Sequence, residues 1–414
     1  MKKLLIIGYV WPEPNSSAAG TRMMQLIDFF LKADYQVHFS TTATRSAYVP
    51  PLESLGIITK TIELNSPSFD SYIEDLQPEI VLFDRFMMEE QFSWRVDKFC
   101  PTALKILDTE DLHFIRKARL TAYKQNKEPK DLYLNSEIAK REIASIYRCD
   151  LSLIISEVEM QLLTDDFNIP ESLLFYLPFM LRIITREEID SLPGFNEKKD
   201  FISIGNFLHE PNTNAVFLLK EKIWPMIRKQ LPGANLHIYG AYPSEKIFKL
   251  NDPKNGFLVH GRAENAENEM KKARICLAPL QFGAGLKGKL IQAMQCGTPA
   301  ITTEVGAEGI PGNLPWNGFI ENDPKEFSEA TIKLYLDESK WETAQARGFE
   351  IINSRFSAER FRNEFQKKLQ IMNHLPEHRE KNFIGAMLKH HLHRSTYFMA
   401  RFIEEKNKTA GKNY

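Results

Sequence analysis

Short apolar runs alternate with amphipathic stretches along almost the whole chain, and this alternation restricts the fold more than any other feature. In the first half the runs are LLIIGYV, QVHFSTT, EIVLFDR, ALKILDT and LSLIISE; in the second they are DFISIGN, NLHIYGA, GFLVHGR, RICLAPL and PAITTEV. Strands this short and this rich in Ile, Val and Leu are buried on both faces, which places them in parallel sheets covered by helices. The segments between them supply the helices. Met23, Leu26, Ile27 and Phe30 share one helical face, and Val216, Leu219, Ile223, Ile227 and Leu231 share another. Residues 178–200, with Pro178, Pro193 and a charged run, end the pattern and let it restart. The fold class that follows is α/β: two Rossmann-like, doubly wound domains facing each other across a cleft.

A length of 414 residues agrees, being too great for one ordinary core and enough for two. The formal net charge of -1 gives no global attraction to nucleic acid or anionic membrane, so no nucleic-acid partner is expected and any basic patch is local. The opening MKKLLIIGYVWPEP holds an apolar run too short for a signal peptide or a membrane span, and it reads as a first strand. Cys100, Cys149, Cys276 and Cys296 are scattered, with no C-x-x-C pair and no histidine at ligand spacing. Thiols of a reducing cytoplasm, no disulfide and no metal site are the expectation.

Residues 281–299, QFGAGLKGKLIQAMQCGTP, contain G-x-G-x-x-G at Gly283, Gly285 and Gly288. In a dinucleotide-binding domain that turn follows the first strand, with an acid about twenty residues further on. Glu304 and Glu308 lie near that distance, yet this turn follows RICLAPL, a late strand of the second half. The better reading is a diphosphate cradle. Gly283 and Gly285 let backbone N–H groups approach a ligand, a helix starting near Lys287 adds the positive end of its dipole, and Lys287 and Lys289 add charge. Two solvated lysines at an ordinary helix start are the plain alternative.

The stretch from FISIGNFLHEPNTNA to NLHIYG, continued by VHGRAENAENEMKKARICLAPLQFGAGLKGKLIQAMQCGTPAITTEVGAEGI, resembles the donor-binding domain of GT-B glycosyltransferases of the retaining family four group. That resemblance covers the second half well and the first half more loosely. It implies a nucleotide-sugar donor on the C-terminal domain, a saccharide or lipid-linked glycan acceptor on the N-terminal one, and neither cofactor nor obligatory metal. Domains are then expected at 1–180 and 199–355, joined by a linker at 181–198. A helix at 356–375 returns to the first domain, and a basic amphipathic tail follows at 376–414. The two glutamates usual in the family align with Ala284 and Gln292, and its phosphate-binding turn aligns with Gly205 and Asn206. Lys287 and Lys289 would therefore carry the phosphate charge. Gly20 and Arg22, after the first strand, would approach the diphosphate from the other side.

Base and ribose fall to Gln292, Tyr242 and Arg262. Catalytic candidates come from ILDTEDLHFIR: Asp108, Asp111 and His113, any of which would serve as base in an inverting route. Glu110 matches the family's sugar-contacting histidine by position and His113 by chemistry, while Asp111 has the alternative of capping a helix. The tail interleaves Lys389, His390, His391, His393, Arg394 and Arg401 with Met387, Leu392, Phe398, Phe402 and Ile403. It is a candidate for peripheral membrane contact at the cytoplasmic face, or for docking on the protein with a solvated basic face. A frayed end is expected from Lys406 onward. A GT-B nucleotide-sugar epimerase and a non-catalytic nucleotide-sugar or glycan-binding relative are the competing functions.

Overall fold

The structure is a computed structural model that describes residues 2–410, apart from the side chains of residues 392–394, 407, 409 and 410. Two wholly parallel sheets form, one from each half of the chain. The first contains β1 (Lys2–Gly8), β2 (Tyr35–Thr41), β3 (Ile58–Thr61), β4 (Ile80–Asp84), β5 (Leu104–Asp108), β6 (Leu151–Ile154) and β7 (Leu174–Tyr176). Their order is β3-β2-β1-β4-β5-β6-β7. The second contains β8 (Lys199–Ile204), β9 (Leu236–Tyr239), β10 (Phe257–Gly261), β11 (Ala273–Ala278), β12 (Ala300–Thr302) and β13 (Gly318–Ile320), in the order β10-β9-β8-β11-β12-β13. Each order reverses next to the domain's first strand, the switch point where open α/β sheets bind ligands.

Both faces of each sheet are covered. Leu5, Ile7, Val81 and Phe83 pack into one apolar layer, and Leu4, Ile6, Ile80 and Leu82 into the opposite one. In the second domain Ile202 and Cys276 face one core while Phe201, Ile275 and Leu277 face the other. The helical faces anticipated at Met23 to Phe30 and Val216 to Leu231 are buried in these layers. β3, β7 and β13 were not anticipated. They are edge strands of three or four residues with few buried side chains, so they carry no long apolar run.

Between β7 and β8 the chain crosses from one domain to the other through a short helix, Arg186–Asp190, closed by a capping box of Thr185 and Glu188. It returns after helix Glu338–Arg355, where Leu181 bridges Ser357 in the backbone. The Ser357 hydroxyl caps helix Ala358–Lys368, which sets Phe361 and Phe365 into the first domain's core beside Phe29 and Phe30. All four cysteines are buried free thiols.

The tail docks on the protein, as the second reading has it. Helix Phe383–Ala410 packs on the first domain, with Arg401 half-buried there while His390, His391, Lys406 and Lys408 stay exposed. Arg95 of helix Phe86–Phe99 pairs with Glu404 at 2.6 Å, Arg401 pairs with the same carboxylate at 2.6 Å, and Tyr397 meets Trp94 edge-on at 5.2 Å. Lys389 is desolvated, which lowers its pKa to about 8. The outward side carries aromatic rings beside these basic groups: Phe383, Phe398 and Phe402 are 75%, 67% and 66% exposed. The helix persists to Ala410, where a frayed end was expected, and residues 411–414 of that expectation lie outside the described residues, as do the side chains of Leu392, His393 and Arg394. Among the described residues no helix is long and apolar enough to cross a membrane.

Candidate functional site

The C-terminal edges of the two sheets face each other across a cavity of about 450 Å³ lined by both domains. Two helices start there. Ala18–Lys32 follows β1 and Gly288–Gln295 follows β11, and their first turns touch: a Cβ on residue 288 would stand 2.6 Å from the Ala18 Cβ. Two positive dipole ends thus meet at one wall of the cavity, an arrangement that favours an anion. The Ser16 hydroxyl lines the same wall without a partner among the described residues. Gly20 does not reach it. Its N–H is taken by the capping Ser17 Oγ at 3.0 Å, and it is glycine because a Cβ would lie 2.4 Å from the Glu13 backbone.

Both lysines of the glycine-rich turn line the cavity, Lys287 buried and Lys289 half-buried. Lys287 Nζ donates to the Gly285 carbonyl at 2.7 Å, and Lys289 Nζ donates to Asn212 Oδ1 at 2.7 Å. The latter lies over Gly205, where a Cβ would come within 2.8 Å of the amine. Burial lowers both pKa values, that of Lys289 to about 8, while Glu308 and Glu159 oppose the shift at Lys287. Gly205 and Asn206 also line the cavity.

Gly285 differs from its expected role. Its N–H is occupied by Glu159, of helix Glu157–Asp165 in the first domain, at 2.8 Å. The same Glu159 oxygen accepts from Leu112 N–H at 3.2 Å. Burial and then the nearby Asp111 raise the Glu159 pKa to about 8, against those two N–H groups and Lys287. Gly285 (φ 62°) is also a point of closest approach, since a Cβ would meet the Asp111 Cβ at 2.9 Å. Arg119 adds a third tie, donating to the Gly283 carbonyl at 2.8 Å and pairing with Glu308 at 2.8 Å.

On the first domain's side, Asp108 and Arg22 leave the site. They form an ion pair at 2.8 Å with side chains 0% and 1% exposed, and Arg22 also donates to the Leu177 carbonyl. Neither lines the cavity, so the pair holds strands and first helix together instead of meeting a phosphate or an acceptor. His113 begins helix His113–Gln125 behind Asp111, its Nδ1 3.0 Å from the Asp111 carbonyl oxygen, and it is not in the lining either. Asp111 does line the cavity, and it does not cap that helix. Glu142 does so from a distance, accepting from the N–H groups of His113 and Phe114 at 3.2 and 3.0 Å. Burial alone would raise the Asp111 pKa, but Arg116, paired with it at 2.8 Å, together with His113, Arg85 and His209 outweighs burial and lowers it.

Glu110, Arg85 and His209 join Asp111 in the lining. Glu110 stands at φ 62°, and burial followed by repulsion from Asp108 raises its pKa to about 8. Burial lowers the His209 pKa, with Arg116 adding to the effect. Arg85 and Glu110 were legible as residues just past strand ends, the positions that reach ligands in such sheets. Glu159 was not, since nothing in its helix marks it. Gln292 and Arg262 line the cavity, and Arg262 stacks over Tyr48 of the other domain at 4.1 Å. Tyr242 lies outside the lining, its hydroxyl donating across the domains to Glu13 at 2.9 Å, so it is a tie and not a base platform. Ala284 is in the lining and packs against the first domain's core. Among the described residues no three His, Cys, Asp or Glu side chains are placed to hold a metal ion.

Residues 198–337 match the family model described as glycosyl transferases group 1. Between 89% and 91% of the chain superposes on solved structures of similar fold. The chain has the GT-B fold. A TarM mutant from S. aureus, in complex with Fondaparinux, alpha-GlcNAc-glycerol and UDP, is similar at a TM-score of 0.67 with 11% identity, over 89% of this chain and 99% of that one. Sucrose-phosphate synthase from Thermosynechococcus elongatus is similar at 0.65 with 15% identity, over 91% and 100%. Anabaena HepE in complex with UDP and glucose is similar at 0.67 with 11% identity, over 89% and 100%. No curated protein matches by sequence. In this GT-B chain the group 1 match covers the domain that carries the glycine-rich turn and both lysines.

Proposed function

We propose that this chain transfers a sugar from a nucleoside-diphosphate sugar to a saccharide acceptor, with retention of anomeric configuration. The observation that carries the reading is the meeting of two helix N-termini, at Ala18 and Gly288, beside two ammonium groups in one cavity. Anionic diphosphate satisfies all of these at once. As the bond between the anomeric carbon and the phosphate oxygen breaks, negative charge grows on the leaving diphosphate. Preorganised dipoles and ammonium groups stabilise that charge most in a desolvated site. The acceptor oxygen attacks from the same face, and its proton passes to the departing phosphate oxygen. In this reading the protein supplies the positive charge, so no metal is used. Glu110, neutral at pH 7, donates a hydrogen bond to a donor-sugar hydroxyl, and Gln292 hydrogen-bonds the ribose without a carboxylate's charge assistance. The UDP bound to TarM and to HepE supports a uridine donor among the bases.

A lipid-linked acceptor is part of the proposal, with the exposed apolar row of helix Phe383–Ala410 resting on the lipid surface. The test of the reading is a panel of nucleotide sugars incubated with the full chain, with and without saccharide acceptors, followed by detection of released nucleoside diphosphate. Turnover of one donor is expected, reduced by at least about tenfold in Lys289→Ala. Tight binding with no turnover by any donor and acceptor pair would leave a binding protein in place of an enzyme.

A further inference from the structure

The turn between β4 and helix Phe86–Phe99 holds a residue whose backbone and side chain are both unusual. Arg85 has φ 71° and ψ 157°, a region that is almost exclusively glycine's because a Cβ collides there with the neighbouring peptide. A side chain kept in such a place by its surroundings points to a use for that side chain. Its guanidinium lies against the Tyr9 ring at 5.0 Å, and the Tyr9 backbone N–H donates to Asp84 at 2.9 Å. Asp84 approaches the guanidinium only at 3.8 Å, too far for a hydrogen bond. Among the described residues the guanidinium makes no side-chain hydrogen bond, and its side chain, 12% exposed, lines the cavity. Asp111, the neighbouring carboxylate, already accepts from Arg116 Nη1 on both of its oxygens, at 2.8 and 2.9 Å.

From this placement we propose that the Arg85 guanidinium recognises an anionic group, a carboxylate or a phosphate, on the saccharide acceptor. The assignment to acceptor instead of donor rests on the glycosyl-transfer reading above, in which Lys287, Lys289 and the paired helix ends already supply the charge for the donor diphosphate. A planar guanidinium backed by an aromatic ring and free along its donor edge suits bidentate binding of either anion. Asp84 and Asp111, with Glu110 when ionised, balance its charge without hydrogen-bonding it among the described residues, so a neutral saccharide would leave its donor N–H groups without a charged acceptor.

The test measures saccharide binding without any donor, by ligand-observed NMR on the full chain with glucose, glucuronate and glucose 6-phosphate as probes. One of the anionic probes is expected to bind at least about tenfold tighter than glucose, and which one does so distinguishes carboxylate from phosphate. Arg85→Gly removes the guanidinium and relieves the backbone, so this preference should vanish while the thermal midpoint stays level or rises. Arg85→Gln keeps the side chain's length without its charge and should lose the same preference. Nucleoside-diphosphate affinity, titrated separately, should change less than about twofold in both variants. Three results would overturn the proposal: equal binding of all probes by the wild type, a preference that survives both substitutions, or a loss of nucleoside-diphosphate affinity, which would make Arg85 a donor ligand. If no nucleoside diphosphate binds the wild type, the glycosyl-transfer reading fails, and the saccharide titration still decides whether Arg85 is an anion site.

Discussion

Glu110 shows how one residue combines strain, burial and charge. Its φ of 62° costs about 1–3 kcal/mol for a residue other than glycine, and its carboxyl is held neutral up to about pH 8. Neither is useful to a purely structural side chain, and its neighbour Asp108 shows the contrast, fully buried in an ion pair with Arg22. The sign of the pH effect follows from the raised pKa. Below about 8 Glu110 is a neutral hydrogen-bond donor, and above it the donor proton is gone. Transfer should therefore fall by roughly tenfold per pH unit on the alkaline side, and Glu110→Gln, which still donates, should flatten that limb. A wild-type rate that climbs through the same pH range would make Glu110 a base. Legibility at this scale followed position along a strand. ILDTEDLHFIR was identifiable as a polar cluster past a strand end, but which of its acids faces outward depends on a single positive φ at Glu110 that composition does not reveal. Arg22 was misassigned for a related reason: a helix turns its side chains by 100° per residue, and that rotation sends Arg22 to Asp108 at the end of β5 while Ala18 and Thr21 stay at the cavity.

At the scale of elements, the decisive feature is the contact between the first turns of Ala18–Lys32 and Gly288–Gln295. Gly288 has ordinary helical backbone and is not needed there for conformational freedom; it is needed because Ala18 comes so close. Gly288→Ala should thus keep the helix itself yet push the two N-termini apart, because the new methyl overlaps Ala18. The expected result is a lower thermal midpoint, by overpacking of about 1–3 kcal/mol, with nucleoside-diphosphate affinity lowered by at least about tenfold. Unaltered affinity would show that the two helix ends do not share a ligand. The strands and this second helix were readable in advance because β8 to β12 are apolar runs and Gly297 with Pro299 ends the helix. The contact between helices was not, because it joins residues 270 positions apart and no local pattern encodes such a pairing.

The whole molecule is held closed around the cavity by ties that each use one residue from either domain. Glu159 holds the Gly285 amide, Arg119 holds Glu308, Tyr242 holds Glu13, and Arg262 stacks on Tyr48. Two parallel sheets with a switch point each were legible from the alternation of runs, as was a cleft between them. The ties were not, since they come from helices and loops whose local sequence reads as ordinary surface. The tail belongs to this scale too, because Glu404 and Arg401 fasten it to the first domain and its aromatic row faces outward. Vesicles of mixed neutral and anionic lipid should sediment the wild type, and Phe398→Ser with Phe402→Ser should abolish this without lowering the thermal midpoint. Sedimentation that persists would place the lipid contact elsewhere. The account as a whole depends on the diphosphate. Its most direct test is calorimetric titration of matched nucleosides, nucleoside monophosphates and nucleoside diphosphates against the wild type, Lys287→Ala and Lys289→Ala. For every base that binds, the diphosphate should bind at least about tenfold tighter than the monophosphate, and each substitution should shrink that gap by a similar factor. Equal affinity for monophosphate and diphosphate, or a gap untouched by both substitutions, would contradict it.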